Sequence, residues 1–225
     1  MIKYILFDID DTLFPTTEFA ELARKNAVRA MKTFGIDKTE KEVYRTLEEI
    51  ISRKGSNYEA HFDELCKKLR ITNNARFIAA AVAAYHNTKT AIQTYPEVPL
   101  TLLKLRERGY RLYAATNGNT LKQWDKLIRL QIALYFEDVF VSEELGVEKG
   151  DAFFKKVLKR LGAVPEECAM IGDKETADIA PAKKLGMHTI RVKQGKYRKE
   201  PTSAEFQVDD LGEVPGIVEN LSKHQ

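Results

Sequence analysis

The sequence predicts an α/β protein: a doubly wound, Rossmann-like parallel-sheet core with an inserted all-helical module. Three observations carry that expectation. From residue 98 onward, short unbroken apolar runs alternate with amphipathic stretches, the pattern of βαβ units. Residues 17–94 carry only three- and four-residue apolar periodicity, with no strand signal among them. A further apolar run, Tyr4 to Phe7, precedes that helical stretch, so the helices interrupt the α/β pattern rather than begin it.

In chain order, Tyr4 to Phe7 lacks alternation, as expected of a strand covered on both faces. A first helix follows from Phe19, Leu22, Ala23, Ala27, Ala30, Met31 and Phe34, which share one face. Val43, Leu47, Ile50 and Ile51 mark a second, opened by the capping-box pattern Thr39-x-x-Glu42. Phe62, Leu65, Cys66 and Leu69 mark a third, and Ile78, Ala81, Val82 and Tyr85 a fourth. Hinges are expected near Phe14 to Thr17 and Thr94 to Pro99, where Pro96 and Pro99 bias their preceding residues away from helix. The core therefore comprises residues 1–16 and 95–225, and the helical module residues 17–94.

Beyond the return hinge, strands are expected at Leu112 to Ala115, Val139 to Val141, Cys168 to Ile171 and Thr189 to Val192. Helices fall at Pro99 to Arg108, Thr120 to Leu130, Asp151 to Leu161 and Glu175 to Leu185. Gly162 follows the last periodic residue of its helix, where a left-handed C-terminal glycine belongs.

Composition narrows the function. Among 225 residues, 36 Lys and Arg against 33 Asp and Glu leave a net charge of +3, too small an excess to point to a nucleic-acid partner. The basic stretch Lys193 to Lys199 reads as a solvated loop. Cys66 and Cys168 have no metal-ligand spacing around them and form no disulfide framework. No apolar segment approaches the roughly 20 residues that span a bilayer, and the N-terminal run is too short for a signal peptide. A cytoplasmic protein with no membrane partner is expected; monomer and homodimer stay open.

The chemistry sits at strand ends. Asp8 and Asp10 stand at i and i+2 after the first strand, so an extended chain would turn both toward one site. Such a pair needs a cation, or one member must hold a proton. The second strand leads into Thr116-Asn117-Gly118, a hydroxyl and backbone amides suited to phosphate oxygens. The third is followed by Lys149, a candidate fixed positive charge, and the fourth by Asp173, with Asp178 about one helical turn later. Oxygen ligands without a His or Cys cluster favour magnesium over zinc.

Together these residues resemble the haloacid dehalogenase superfamily. The match comprises Asp8-x-Asp10-x-Thr12, the Thr of Thr116-Asn117-Gly118, the Lys of Glu148-Lys149 and Gly172-Asp173-x-x-x-x-Asp178. The helical module after the first motif is similar to the C1 cap of phosphoglycolate phosphatase-like and archaeal glyceraldehyde 3-phosphate phosphatase-like members. The resemblance implies a Mg²⁺-dependent phosphohydrolase acting on a small phosphorylated metabolite, such as a triose phosphate or phosphoglycolate. It implies Asp8 as nucleophile and Asp10 as general acid, then base. Mg²⁺ would be held by the Asp8 carboxylate, the Asp10 backbone carbonyl and Asp173. Thr116 and the amides of Asn117 and Gly118 would hold the phosphoryl oxygens, Lys149 would neutralise them, and Asp178 would orient Lys149 or metal-bound water. A phosphomutase and a non-catalytic binding module on the same core are the alternatives. Two positions depart from the family pattern: Gly150 follows Lys149 where many relatives have proline, and Lys174 follows Asp173 where many have serine.

Overall fold

The computed structural model describes residues 1–56 and 58–223. Asn57, within the expected module, and residues 224–225 of the expected core lie outside the described residues. Six parallel strands form one sheet in the order β3-β2-β1-β4-β5-β6. They are β1 (Tyr4–Phe7), β2 (Arg111–Thr116), β3 (Asp138–Val141), β4 (Cys168–Gly172), β5 (His188–Val192) and β6 (Phe206–Val208). The chain fills one side of β1 and then, from β4, the other, so the strand order reverses between β1 and β4. Ligands of open α/β sheets bind at the carboxyl ends of strands beside such a reversal. Phe7 pairs with Ala114 on β2 and Ile171 on β4, which brings Asp8 level with the strand ends carrying Thr116 and Asp173.

β1 is the middle of the core for the reason its sequence suggests. Ile5, Leu6 and Phe7 have no exposure at all, each burial contributing about 1.5–3 kcal/mol. Leu6 packs with Phe140 of β3, Met170 of β4 and the buried Phe153, Phe154 and Val157 of a helix over Asp151–Leu161. That helix ends at Gly162 with φ 61°, the left-handed cap expected from sequence.

The chain divides into two compact units, Met1–Thr17 with Gln93–Gln225, and Glu18–Ile92. The second is helical: α1 (Thr16–Thr33, which begins just inside the first unit), α2 (Glu40–Lys54), α3 (His61–Lys68) and α4 (Ala75–Lys89). It has its own core, including Ala27, Met31, Val43, Leu47, Leu65, Cys66, Phe77 and Ala81. The capping box forms: Thr39 Oγ1 accepts from Glu42 N at 3.2 Å, and Glu42 accepts from Thr39 N at 2.9 Å. The expected α1 stripe is narrower than its apolar pattern, because Leu22 and Phe34 are exposed while Val28 replaces them in the core.

The first unit's helices are α5 (Val98–Glu107), α6 (Thr120–Arg129), α7 (Ser142–Leu145), α8 (Asp151–Leu161), α9 (Ala180–Lys184) and α10 (Val214–Lys223). The single helix expected over Glu175 to Leu185 instead begins as a π-helical turn, Glu175–Ile179, before α9. Pro181 supplies a reason: it lacks the N–H that a regular ladder would donate to Ala177. The edge strand β6 and α10 carry too short or too mixed a pattern to be read from sequence. Nevertheless Leu211, Val214 and Val218 are fully buried. No described helix is long and apolar enough to cross a membrane.

Candidate active site

At the reversal between β1 and β4, the structure gathers four buried ionisable side chains. Asp8 follows β1 directly, its N–H donating to Ile171 O at 2.8 Å, so the nucleophile candidate is anchored to β4. Asp173 follows β4, and Asp178 lies in the π-helical turn. The carboxylate oxygens of Asp8, Asp173 and Asp178 lie within 4.8 Å of one another. Lys149 Nζ reaches Asp8 Oδ1 and, at 2.5 Å, Asp178 Oδ1. One ammonium faces three carboxylates.

The electrostatics follow from that count. Burial lowers the Lys149 pKa, but the Asp178 and Asp8 carboxylates outweigh it, and the lysine is held firmly protonated. Burial, with Asp178 and Asp10 nearby, pushes the Asp8 carboxyl up to about 7 despite Lys149. Burial and the Asp8 and Asp178 charges push Asp173 up to about 8. A set of hard oxygen donors that is short of positive charge fits a divalent cation.

Close packing fixes Asp178. Its Oδ2 accepts from Lys174 N at 3.0 Å, and a Cβ at Gly172 would lie 2.5 Å from that same oxygen. The expected link between Asp178 and Lys149 is thus a direct contact, but Asp178 also stands among the cation-facing carboxylates.

Asp10 is not among the three clustered carboxylates. The chain turns directly after it: Leu13 N donates to Ile9 O at 3.0 Å, and Asp11 adopts φ 57°. The Asp10 carboxylate accepts from Lys126 Nζ at 2.6 and 2.8 Å and from Thr16 Oγ1 at 2.7 Å. Burial pushes its pKa up, but Lys126 and Thr16 more than offset this and hold it below the usual carboxylate value. Asp11 has a structural part: it accepts from Thr17 N at 2.8 Å and from the Thr17 hydroxyl, pinning the turn.

The loop after β2 is held from several sides. Thr116 is buried at the strand end, and Asn117 Oδ1 accepts from Lys149 N at 2.7 Å. Gln123 Nε2 donates to Asn117 O at 2.7 Å, filling the space where a Cβ on Gly118, at φ 126°, would lie 2.8 Å from it. The Gly118 N–H donates to Ser142 Oγ at 2.9 Å, which corrects the expectation that this amide faces phosphate. Glu143 caps α6 by accepting from Thr120 N at 2.8 Å and Asn119 Nδ2 at 2.7 Å.

Sequence reasoning missed Gln123, Lys126, Ser142 and Glu143. The signal for the first two was present, since Gln123 and Leu127 mark the inward face of α6 and Lys126 borders it. Of the two departures, Gly150 is in extended backbone with no neighbour nearer than 3.9 Å to an added Cβ, so nothing in the fold requires glycine there. Lys174 places its Nζ 5.4 Å from the Tyr197 ring centre. The loop bearing Tyr197 is tethered from within, because the buried Arg191 donates to the carbonyls of Tyr197 at 2.6 Å and Pro201 at 2.9 Å.

The family model of haloacid dehalogenase-like hydrolases matches residues 2–186. The chain belongs to that family. Relatives named glyceraldehyde 3-phosphate phosphatase match over nearly the full length of both chains. The one from Methanopyrus kandleri is 44% identical, covering 99% of this chain and 100% of its own. The one from Methanocaldococcus jannaschii is 43% identical with the same coverage. A haloacid dehalogenase-like hydrolase from Xanthomonas campestris shares the fold, with a TM-score of 0.71, 19% identity and coverage of 100% of this chain and 95% of its own. The hydrolase is a phosphatase.

Proposed function

We propose that this phosphatase uses Mg²⁺ and an aspartyl-phosphate on Asp8 to hydrolyse glyceraldehyde 3-phosphate. The observation that carries the mechanism is the buried Asp8, at the strand-order reversal, sharing one lysine with Asp178 and lying beside Asp173. The names of the full-length relatives support the substrate. The helical unit sits in the chain directly after the Asp8 turn, which supports reading it as the family's substrate-selecting cap. Two buried free cysteines, Cys66 and Cys168, suit the reducing cytoplasm.

In this mechanism an Asp8 oxygen attacks phosphorus and the bond to the leaving oxygen breaks. Asp10, held as the carboxylate by Lys126 in the free enzyme, takes up a proton as substrate binds and gives it to that oxygen. As carboxylate, Asp10 then takes a proton from the water that attacks the phosphoenzyme, which frees phosphate and restores Asp8. Thr116 and the Asn117 amide hold the phosphoryl oxygens, and Lys149 balances their charge. Asp8, Asp173 and the Asp10 carbonyl would hold Mg²⁺, which would supply charge neutralisation between nucleophile and phosphate.

The test is phosphate release with Mg²⁺ from glyceraldehyde 3-phosphate, phosphoglycolate and a panel of sugar phosphates, with Asp8→Asn in parallel. Release that is fastest with the triose phosphate and absent in the variant is expected. Faster release from another compound would replace the substrate assignment. An isomerised sugar phosphate without free phosphate would make the protein a mutase.

A further inference from the structure

We propose that Lys126 is a positioning residue for Asp10, holding its carboxylate where it exchanges protons with the leaving oxygen and then with water. The inference rests on the phosphatase mechanism above. Its basis is the way α6 is used. Gln123 and Lys126 stand three residues apart, on neighbouring positions of one helix face. Gln123 reaches the loop after β2 through Asn117 O at 2.7 Å. Lys126 reaches the turn after β1 through both Asp10 oxygens, at 2.6 and 2.8 Å. One rigid element thereby spaces the proton-transfer group against the loop that receives the phosphoryl group.

The alternative is an ordinary surface ion pair, which contributes little and holds nothing in place. Three observations favour the positioning role. The lysine side chain is 24% exposed, so most of it is packed, with Phe14 5.8 Å from its ammonium. Its contact spans both carboxylate oxygens, and with Thr16 Oγ1 at 2.7 Å it sets the plane of the group as well as its position. Finally, among the described residues the further hydrogen bond to its carboxylate comes from the short Thr16 hydroxyl. Without Lys126, a single hydroxyl would leave the carboxylate free to rotate about it. Proton transfer demands heavy-atom separations of about 2.6–3.2 Å, so such freedom would be felt in the chemical steps.

The experiment compares wild type, Lys126→Met and Lys126→Arg, with Mg²⁺, on glyceraldehyde 3-phosphate and on p-nitrophenyl phosphate. The aryl leaving group departs without a proton, whereas the triose oxygen needs one. With the triose phosphate, Lys126→Met is expected to lower kcat by about 100-fold, within the range of general acid–base catalysis, with little change in KM. With the aryl phosphate, the same variant is expected to give a burst of one p-nitrophenolate per enzyme, followed by slow turnover. Nucleophilic attack survives while water activation is impaired. Lys126→Arg, whose guanidinium also bridges two carboxylate oxygens, should recover most of kcat. Unchanged kcat in Lys126→Met overturns the proposal. So does an equal loss of burst and turnover that arginine does not rescue, because that is the pattern of a structural residue. A wild type inactive on the triose phosphate removes the substrate assignment alone, since the aryl phosphate arm still decides the role of Lys126.

Discussion

Lys149 Nζ lies 2.5 Å from Asp178 Oδ1, and the two side chains are 5% and 1% exposed. This pair does more than neutralise charge. It holds the lysine over Asp8 from one side while the Lys149 backbone N–H is tied to Asn117 Oδ1 at 2.7 Å from the other. A single residue thus links the strand ends of β1, β2 and β4.

Replacing Lys149 with Met should be severely destabilising as well as inactivating. Removing one partner of a buried charge cluster leaves the rest uncompensated, typically at a cost of about 3–5 kcal/mol. Urea denaturation of metal-free protein checks this. A loss below about 1 kcal/mol would show that the carboxylates are balanced by other groups.

Asp8→Asn should separate stability from function. Turnover is expected to vanish because an amide cannot form the phosphoenzyme. The metal-free variant should melt no lower than wild type at pH 8, since one member of a crowded carboxylate set has lost its charge. Phosphate release and thermal melts are the two measurements, and a clearly lower melting temperature would contradict the crowding.

The pH dependence of metal-free stability follows from the raised carboxyls. Asp8 and Asp173 titrate at about 7 and about 8 in the fold, against an ordinary value of 3.8. Between these limits the folded state holds protons that the unfolded chain has released, so their contribution to stability falls as pH rises from about 4 to about 8. Melts in EDTA should therefore decline across pH 5 to 8. Mg²⁺, binding the ionised set, should raise the melting temperature more at pH 8 than at pH 5. A metal-free melting temperature that climbs over that interval, with no larger Mg²⁺ effect at pH 8, would refute the cluster's electrostatics.

Gly172→Ala probes packing at the same site. The added Cβ would lie 2.5 Å from Asp178 Oδ2, a group held by Lys174 N and Lys149 and therefore unable to yield freely. About 1–3 kcal/mol of stability should be lost, the usual range for overpacking, and activity should fall with the displaced Asp178. Calorimetry and steady-state kinetics together test this; full activity with unchanged stability would show that Asp178 can move.

The sequence by itself determined the α/β class, the helical module after β1, and the polar residues that end or follow the strands, Asp8, Thr116, Lys149, Asp173 and Asp178. Each of those is written locally, in an apolar run that ends in a polar residue or in a face repeated every three or four positions. Tertiary structure alone decided which partners those residues meet. Asp10 meets Lys126 and Thr16 at the start of a turn in which Asp11 adopts φ 57°, held by Thr17 and invisible in a two-residue period. Lys126 meets Asp10, and Ser142 takes the Gly118 amide, only because strand order sets β1, β2 and β3 side by side. The physical reason is that hydrophobic periodicity records which face of an element is buried, whereas a hydrogen bond between distant residues depends on how separate elements are brought together.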